Sequence, residues 1–397
     1  MATVASTSDA PELARLQQRA LIVGIAGLVA AAIGAALNLE QFYRSWLIGF
    51  LFCLGLTLGS LGLLMLQHLS GGQWGLVSRR VFEASARTLP LVAVLFVPVL
   101  VGIPSVFEWS HTDVVMNDAV LSQKAPYLNT TFFIVRAVVY FAFWLFCSYL
   151  LTTWSSGQDQ GTVGVTRADS VRFRTVSAPG LLFLVLTITF ASVDWIMSLD
   201  PHWYSTIFGL LTVVGQGLSA LAFTIAVLSL LASVPPLSRY LTPRHFHDLG
   251  KLLLAFVMLW AYLAFSQFLI IWSGNLPEEI PWYLERIRGT WGFIALLLVL
   301  GHFALPFLLL LSRDIKRNSG LLAKVAVFVI LMRLVDLIWL VAPNFEHHGF
   351  PLHWMDVVLP VGLLGVWLFV FARNLRSQAL LPLNDPYFKE AFAHEAH

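Results

Sequence analysis

Two aspartates stand where their neighbours in sequence would bury them. Val193-Asp194-Trp195-Ile196 leads to Leu199 and Pro201, and Val335-Asp336-Leu337-Ile338 leads to Val341 and Pro343, at a constant offset of 142 residues. Each aspartate precedes its proline by seven residues, about 10 Å along a helix, which places the carboxyl group within an apolar stretch. A carboxyl at such depth is costly unless it is paired, protonated or facing water, and it marks a proton or ion path by default. A charge clamp between helices is the other reading. Arg333 lies three residues before Asp336 on the same helix face, so the two can form a charge-assisted pair. Asp194 has Ala191 at the matching place, so its partner must come from another helix, and Arg136 is the candidate. Gln216, Gln267 and His302 also fall inside apolar stretches and could link the acids to water or serve as interhelical glue. Arg87, near the end of its stretch, either joins that path or snorkels to the surface.

The elements that must position these residues follow from composition. Of 397 residues 58% are hydrophobic and only 12% charged, with mean hydropathy +0.78, which excludes a water-soluble globule. Apolar runs predict ten spans, at 20–39, 45–67, 81–104, 129–154, 177–198, 205–232, 249–273, 288–312, 320–342 and 356–376. The first 18 residues lack the regions of a signal peptide, so the first span is expected to be retained. The repeated aspartate phrase closes the fifth and ninth spans in one orientation. The expected fold is an all-α integral membrane protein in a single membrane domain (1–397). It comprises two parallel-repeat four-helix bundles, 45–198 and 205–342, two peripheral helices, and a cytoplasmic tail at 377–397. Gly55 and Gly59 form a GxxxG pair that lets another helix approach closely, and 155–177 reads as a flexible connector.

Net charge is only +2, giving no reason to expect nucleic acid as a partner, but the distribution is uneven. Seventeen of the 24 Lys and Arg fall in the termini and even-numbered connectors, while Arg44, Lys124, Arg286 and Arg288 alone occupy the odd ones. Both termini are therefore expected to be cytoplasmic. Cys53 and Cys147 are too few for an iron–sulfur cluster and read as small buried hydrophobes. Among eleven histidines only His302 is well inside a span, which argues against paired axial ligands for haem. No metal site, redox cofactor or catalytic residue is expected in this chain alone.

The odd connectors are chemically dense: Asp200-Pro201-His202-Trp203-Tyr204, Pro281-Trp282-Tyr283, and Pro343-Asn344-Phe345-Glu346-His347-His348 through His353-Trp354. They suit an interfacial aromatic belt, a docking face for an outer subunit, or hydrogen-bond partners for a quinone head group.

From Phe190 through Asp194-Trp195-Ile196-Met197-Ser198-Leu199-Asp200-Pro201-His202-Trp203-Tyr204 to Gly209 the chain resembles the ActF-type quinol-oxidoreductase membrane subunit of bacterial alternative complex III, within the NrfD-like polysulfide-reductase membrane-subunit superfamily. Pro343-Asn344-Phe345, His353-Trp354-Met355-Asp356 and Pro382-Leu383-Asn384-Asp385-Pro386 add to the resemblance, which extends over nearly the whole chain. It implies two four-helix bundles in the cytoplasmic (inner) membrane of a bacterium. The partners implied are outer iron–sulfur and multihaem cytochrome c subunits and a homologous larger NrfD-like membrane subunit. Quinol, for instance menaquinol, would be oxidised in that complex, and this subunit type would supply proton-conducting half-channels. Carried over residue by residue, the implied roles fall on Asp194, Asp200 and His202. A proton path through Asp194, Asp336, Arg333, Arg136, Arg87, Gln216 and His302 is thus expected, with quinone or outer-subunit contact at Asp200, His202, Trp203, His353 and Asp356. Rival readings are a secondary transporter, against which the repeats look parallel and mid-depth broken helices are missing, and an inert anchor for outer redox subunits.

Overall fold

The structure, a computed structural model, describes residues 11–345 and 353–393, without the side chains of 389, 390 and 393. Glu346, His347 and His348 of the ninth connector, the first ten residues and the last four lie outside the described residues. No strand occurs among the described residues. Among the described residues, ten helices are long and apolar enough to cross a membrane: α1 (Pro11–Leu37), α2 (Leu39–Ser70), α3 (Gln73–Val101), α4 (Thr130–Asp159), α5 (Arg167–Leu199), α6 (Phe208–Leu230), α7 (Pro243–Gly274), α8 (Gly289–Leu311), α9 (Ser319–Asn344) and α10 (Met355–Arg376). The protein is an all-α, multi-pass membrane protein. Helices satisfy every backbone group within the segment, which is what an apolar solvent demands.

Several helices run past the apolar runs that announce them, because polar residues cap their ends. Asn38, Asn129 and Asn318 accept from the backbone N–H three residues on at the starts of α2, α4 and α9, at 3.1, 2.9 and 3.0 Å. Thr166 caps α5 in the same way. The expected flexible connector at 155–177 is accordingly mostly helix: α4 continues to Asp159 and α5 begins at Arg167.

Burial sorts the helices. The apolar windows of α2 and α6 are 94% and 83% buried, whereas those of α1, α7 and α8 are 28% buried, so α2 and α6 form the centre and the others lie at the periphery. α2 packs on α3 and α5, and α4 on α5; α6 packs on α7 and α9, and α8 closes against both. The two sets meet along α2 and α6. There Gly59 has no room for a side chain, since a Cβ would fall 2.1 Å from the Gln216 carbonyl oxygen, while at Gly55 the nearest atom is the Gln216 side chain at 3.5 Å. α1 lies along α10 through facing glycines, Gly27 on Gly362 and Gly24 on Gly365. Such small-residue seams replace the hydrophobic drive that lipid cannot supply.

Candidate functional site

The last turns of α5 hold Asp194 fully buried. Its partner is Arg136 of α4, whose Nε donates to Oδ2 and Nη2 to Oδ1, both at 2.9 Å. The Tyr140 hydroxyl donates to Oδ2 at 2.9 Å. The remaining reach of Arg136 goes to the Tyr127 carbonyl at 2.9 Å, with the Tyr127 ring 3.9 Å from the guanidinium carbon. A bidentate pair with a third donor satisfies an ionised carboxylate at depth. Tyr140 and Tyr127 were not legible as members of this group: nothing in their local sequence separates them from interfacial or core tyrosines.

In α9 Arg333 and Asp336 form the i,i+3 ion pair, both 4% exposed. The guanidinium lies against Gly215 of α6, where a Cβ would sit 2.6 Å from its central carbon. Arg333 also borders a small cavity of about 10 Å³, space for about one water, between α2, α6 and α9; Gln216, Thr212 and Ser219 are its other polar lining residues, and Leu51, Phe52, Ile196 and Leu337 make the rest of its walls with Gly55. The Gln216 side-chain oxygen is buried without a partner among the described residues. Asp336 faces the other way, into a cavity of about 730 Å³ beside α7 and α8. The Arg333–Asp336 pair therefore stands between two spaces, one central and one lateral.

His302 sits in a π-helical turn of α8, Leu298–Ala304, a deviation that recurs at functional sites. Its ring stands edge-on to Trp260 with centroids 4.3 Å apart, and neither ring nitrogen has a partner among the described residues. Gln267 accepts from Ser205 at 2.9 Å and donates to the Tyr283 hydroxyl at 3.1 Å, tying α7 to the neighbouring connectors. Arg87 does not reach the acids. It donates to the Thr152 carbonyl at 3.0 Å and the Ser156 hydroxyl at 2.6 Å, pinning α3 to α4.

A second buried charge cluster escaped the sequence reading, which assigned Arg79 and Arg80 to a surface connector. Both are 1% exposed. Arg79 donates to Glu83 at 2.9 Å and to Asp385 at 2.7 Å, and Arg80 donates to Glu83 at 2.8 Å and also to Asp159. Ser155 donates to Glu83 at 2.6 Å and accepts from both arginines. The tail segment is thus part of the folded body, with Asn384 bonded to the Asp159 carbonyl at 2.8 Å and Gln73 to the Ala391 carbonyl at 2.5 Å. Glu83 in an Arg-Arg-x-x-Glu run was the available signal.

Two of the expected contact residues are buried against this chain's own side chains. Trp203, 2% exposed, stacks on Trp282 with centroids 4.2 Å apart, and Asp356, 3% exposed, accepts from Ser45 at 2.6 Å and Gln41 at 3.0 Å. Both groups are turned inward, so neither can meet an outer partner without rearrangement. Arg286, expected in a loop, is fully buried over Trp282 at 3.8 Å and donates to the Leu340 carbonyl and Asn344. Burial lowers its pKa to about 9, against the opposing pull of Asp200, Glu285 and Tyr283. Asp200 accepts from the backbone of His202 and Trp203 at 3.2 and 3.3 Å, shaping the turn. His202 is exposed and pairs with Asp118 at 2.7 Å; the Leu121 backbone N–H, then His202, hold Asp118 below the usual carboxylate range. The His353 backbone N–H donates to Asp356 at 3.0 Å, and its side chain is partly exposed. Among the described residues no three His, Cys, Asp or Glu side chains gather as a metal site.

The fold and these paired charges define a multi-pass helical membrane protein with buried ionic groups in separate clusters. No family model matches the chain, and no curated protein matches it.

Proposed function

We propose that the chain is an integral membrane subunit of a quinol:electron-acceptor oxidoreductase of the alternative complex III type, moving protons while partner subunits carry the electrons. The observation that carries this reading is the matched placement of Asp194 and Asp336: each is buried near the end of the last helix of its four-helix set, and each is paired with an arginine. An arginine beside a carboxylate sets how readily it takes a proton. Arg333, Gln216 and the small central cavity give Asp336 a polar neighbour towards the centre, while Asp194 has Arg136 and Tyr140. The resemblance around Asp194 to Tyr204 supplies the wider assignment: a bacterial cytoplasmic membrane, both termini inside, a larger NrfD-like sister subunit, and outer iron–sulfur and multihaem cytochrome c subunits. His202, which is exposed, and Asp200 and His353, which are partly exposed, are the members of the expected contact set at which an outer subunit would meet this chain.

The test uses the assembled complex with Asp194→Asn and Asp336→Asn. The expected result is electron transfer with fewer protons moved per electron; unchanged stoichiometry in both variants would sink the relay. A structural reading also has a specific observation in its favour, because the three donors on Asp194 suit a permanent clamp. A clamp predicts lost assembly in Asp194→Asn and no change in coupling in whatever complex survives.

A further inference from the structure

The end of the bundle that holds Glu83 and its arginines also contains a cavity of about 310 Å³, enclosed by the turn between α2 and α3, the first turns of α5 and the tail. Gln67, His68, Gly72, Ser170, Arg174 and Asp385 lie on its walls. It sits where α2 ends, and Leu66 and Val171, the sequence neighbours of Gln67 and Ser170, are 37% and 52% exposed. A polar hollow and an apolar margin meet there at one level.

Two buried side chains on the wall hold polar atoms with nothing to bond. Gln67 is 5% and His68 8% exposed, yet Gln67 Oε1 and His68 Nε2 have no partner among the described residues. Such atoms are costly to leave unpaired. The His68 ring is held by stacking on Phe173, with centroids 4.9 Å apart. Gly72, the N-cap of α3, brings no side-chain acceptor, so the positive end of that helix and its first N–H groups are turned toward the cavity. Arg174 adds a full positive charge at the exposed edge, 5.5 Å from the Tyr387 ring. The acid on the wall is already occupied: Asp385 Oδ2 accepts from Arg79 and Oδ1 from the Tyr387 backbone N–H. The hollow therefore offers an anion the Arg174 charge, the His68 ring N–H and the start of α3. Beside these donors stands one free acceptor, Gln67 Oε1, which suits a hydroxyl.

We infer that this cavity binds a phosphate ester whose alcohol carries a free hydroxyl, the phosphate lying between Arg174, His68 and the start of α3 and the hydroxyl donating to Gln67. The glycerol headgroup of an anionic phospholipid has this chemistry, and so does soluble glycerol 3-phosphate. Because Asp385, Tyr387 and Ala391 form one wall, the ligand would also fasten the tail to α2 and α5. The site uses none of the residues of the proposed proton path, and binding needs no partner subunit.

The experiment adds phosphatidylglycerol, phosphatidylcholine or glycerol 3-phosphate to the delipidated full chain in detergent. Native mass spectrometry reads the bound ligand, and limited proteolysis reads the tail. One phosphatidylglycerol per chain is expected, held about tenfold tighter than phosphatidylcholine, with slower cleavage between 377 and 393. Equal or tighter binding of glycerol 3-phosphate would support the same site with a soluble ligand. Arg174→Gln should weaken binding about tenfold, and His68→Phe, which keeps a ring on Phe173, about fivefold. Arg172→Gln is the control: this exposed arginine stands against Trp154 at 5.7 Å, off the cavity, and its loss should leave binding unchanged. Equal losses in Arg172→Gln and Arg174→Gln would show attraction of anionic lipid to a basic surface without a site, and would overturn the inference. So would binding with no preference over phosphatidylcholine, or tail cleavage indifferent to the bound ligand. Proton coupling is not part of this readout, so the relay and the phosphate site can fail independently.

Discussion

Arg136 grips both carboxylate oxygens of Asp194 from a different helix, Nε on Oδ2 and Nη2 on Oδ1, each at 2.9 Å. The pair ties α4 to α5 where few other polar contacts cross between them. Removing only the arginine leaves a fully buried carboxylate with Tyr140 as its remaining side-chain donor. Arg136→Ala should therefore destabilise the chain by about 3–5 kcal/mol, and Arg136→Met with Asp194→Leu by clearly less, because the double change leaves no unpaired charge. Chemical unfolding in detergent of both variants measures the difference; equal losses would mean that the pair itself, and not the stranded charge, holds the helices.

The GxxxG pair in α2 is asymmetric. A Cβ at position 59 meets backbone of α6, and one at position 55 meets a side chain at ordinary contact distance. Gly59→Ala should cost about 1–3 kcal/mol through overpacking, while Gly55→Ala should stay within about 0.5 kcal/mol of the parent. Thermal unfolding of the two variants side by side checks this.

Gly215 makes room for the Arg333 guanidinium. Gly215→Ala should push that group towards Gln216 and the central cavity, loosening its hold on Asp336. In an assembled complex, proton movement should fall more than electron transfer, a split that a merely destabilised helix would not give.

Glu83 neutralises two buried arginines at once. Glu83→Gln should cost about 3–5 kcal/mol, more than Asp385→Asn, which leaves Arg79 its bond to Glu83. Asp385→Asn should instead release the tail, seen as faster proteolysis between 377 and 393 with the helical core intact.

Burial raises the pKa of Tyr283 to about 12, above the pull of Gln267 and Arg286 in the other direction. Its unfolded counterpart ionises near 10, so the folded chain binds the proton more tightly, and this group withdraws stability as pH climbs from 10 through 12. Phenolate absorbance of the parent minus Tyr283→Phe should titrate near 12; a difference curve centred on 10 would show an exposed ring.

The spans and the two deep aspartates were legible because both depend on local sequence: unbroken apolar runs, and an acid in the wrong place within them. The Arg333–Asp336 pair was legible for the same reason, three residues on one helix. Long-range burial was not. Arg79 and Arg80 sit beside Gly71 and Gly72, so they resemble loop charges until Asp385 is seen to cover them. Trp203 resembles an interfacial anchor until Trp282, far along the chain, stacks on it. The Trp260–Asp336 cavity is a gap between helices, and no local pattern encodes a gap.

Asp385 follows its partner Arg79 by 306 residues. A ribosome delivers α3 long before it delivers that carboxylate, and α3 must enter the bilayer with two arginines and a single glutamate to balance them. The last ion pair of the cluster around Glu83 thus closes only after α10 has been made. It acts as a latch on synthesis order: in a nascent chain stalled short of residue 385, Arg79 has only Glu83, a carboxylate that it shares with Arg80.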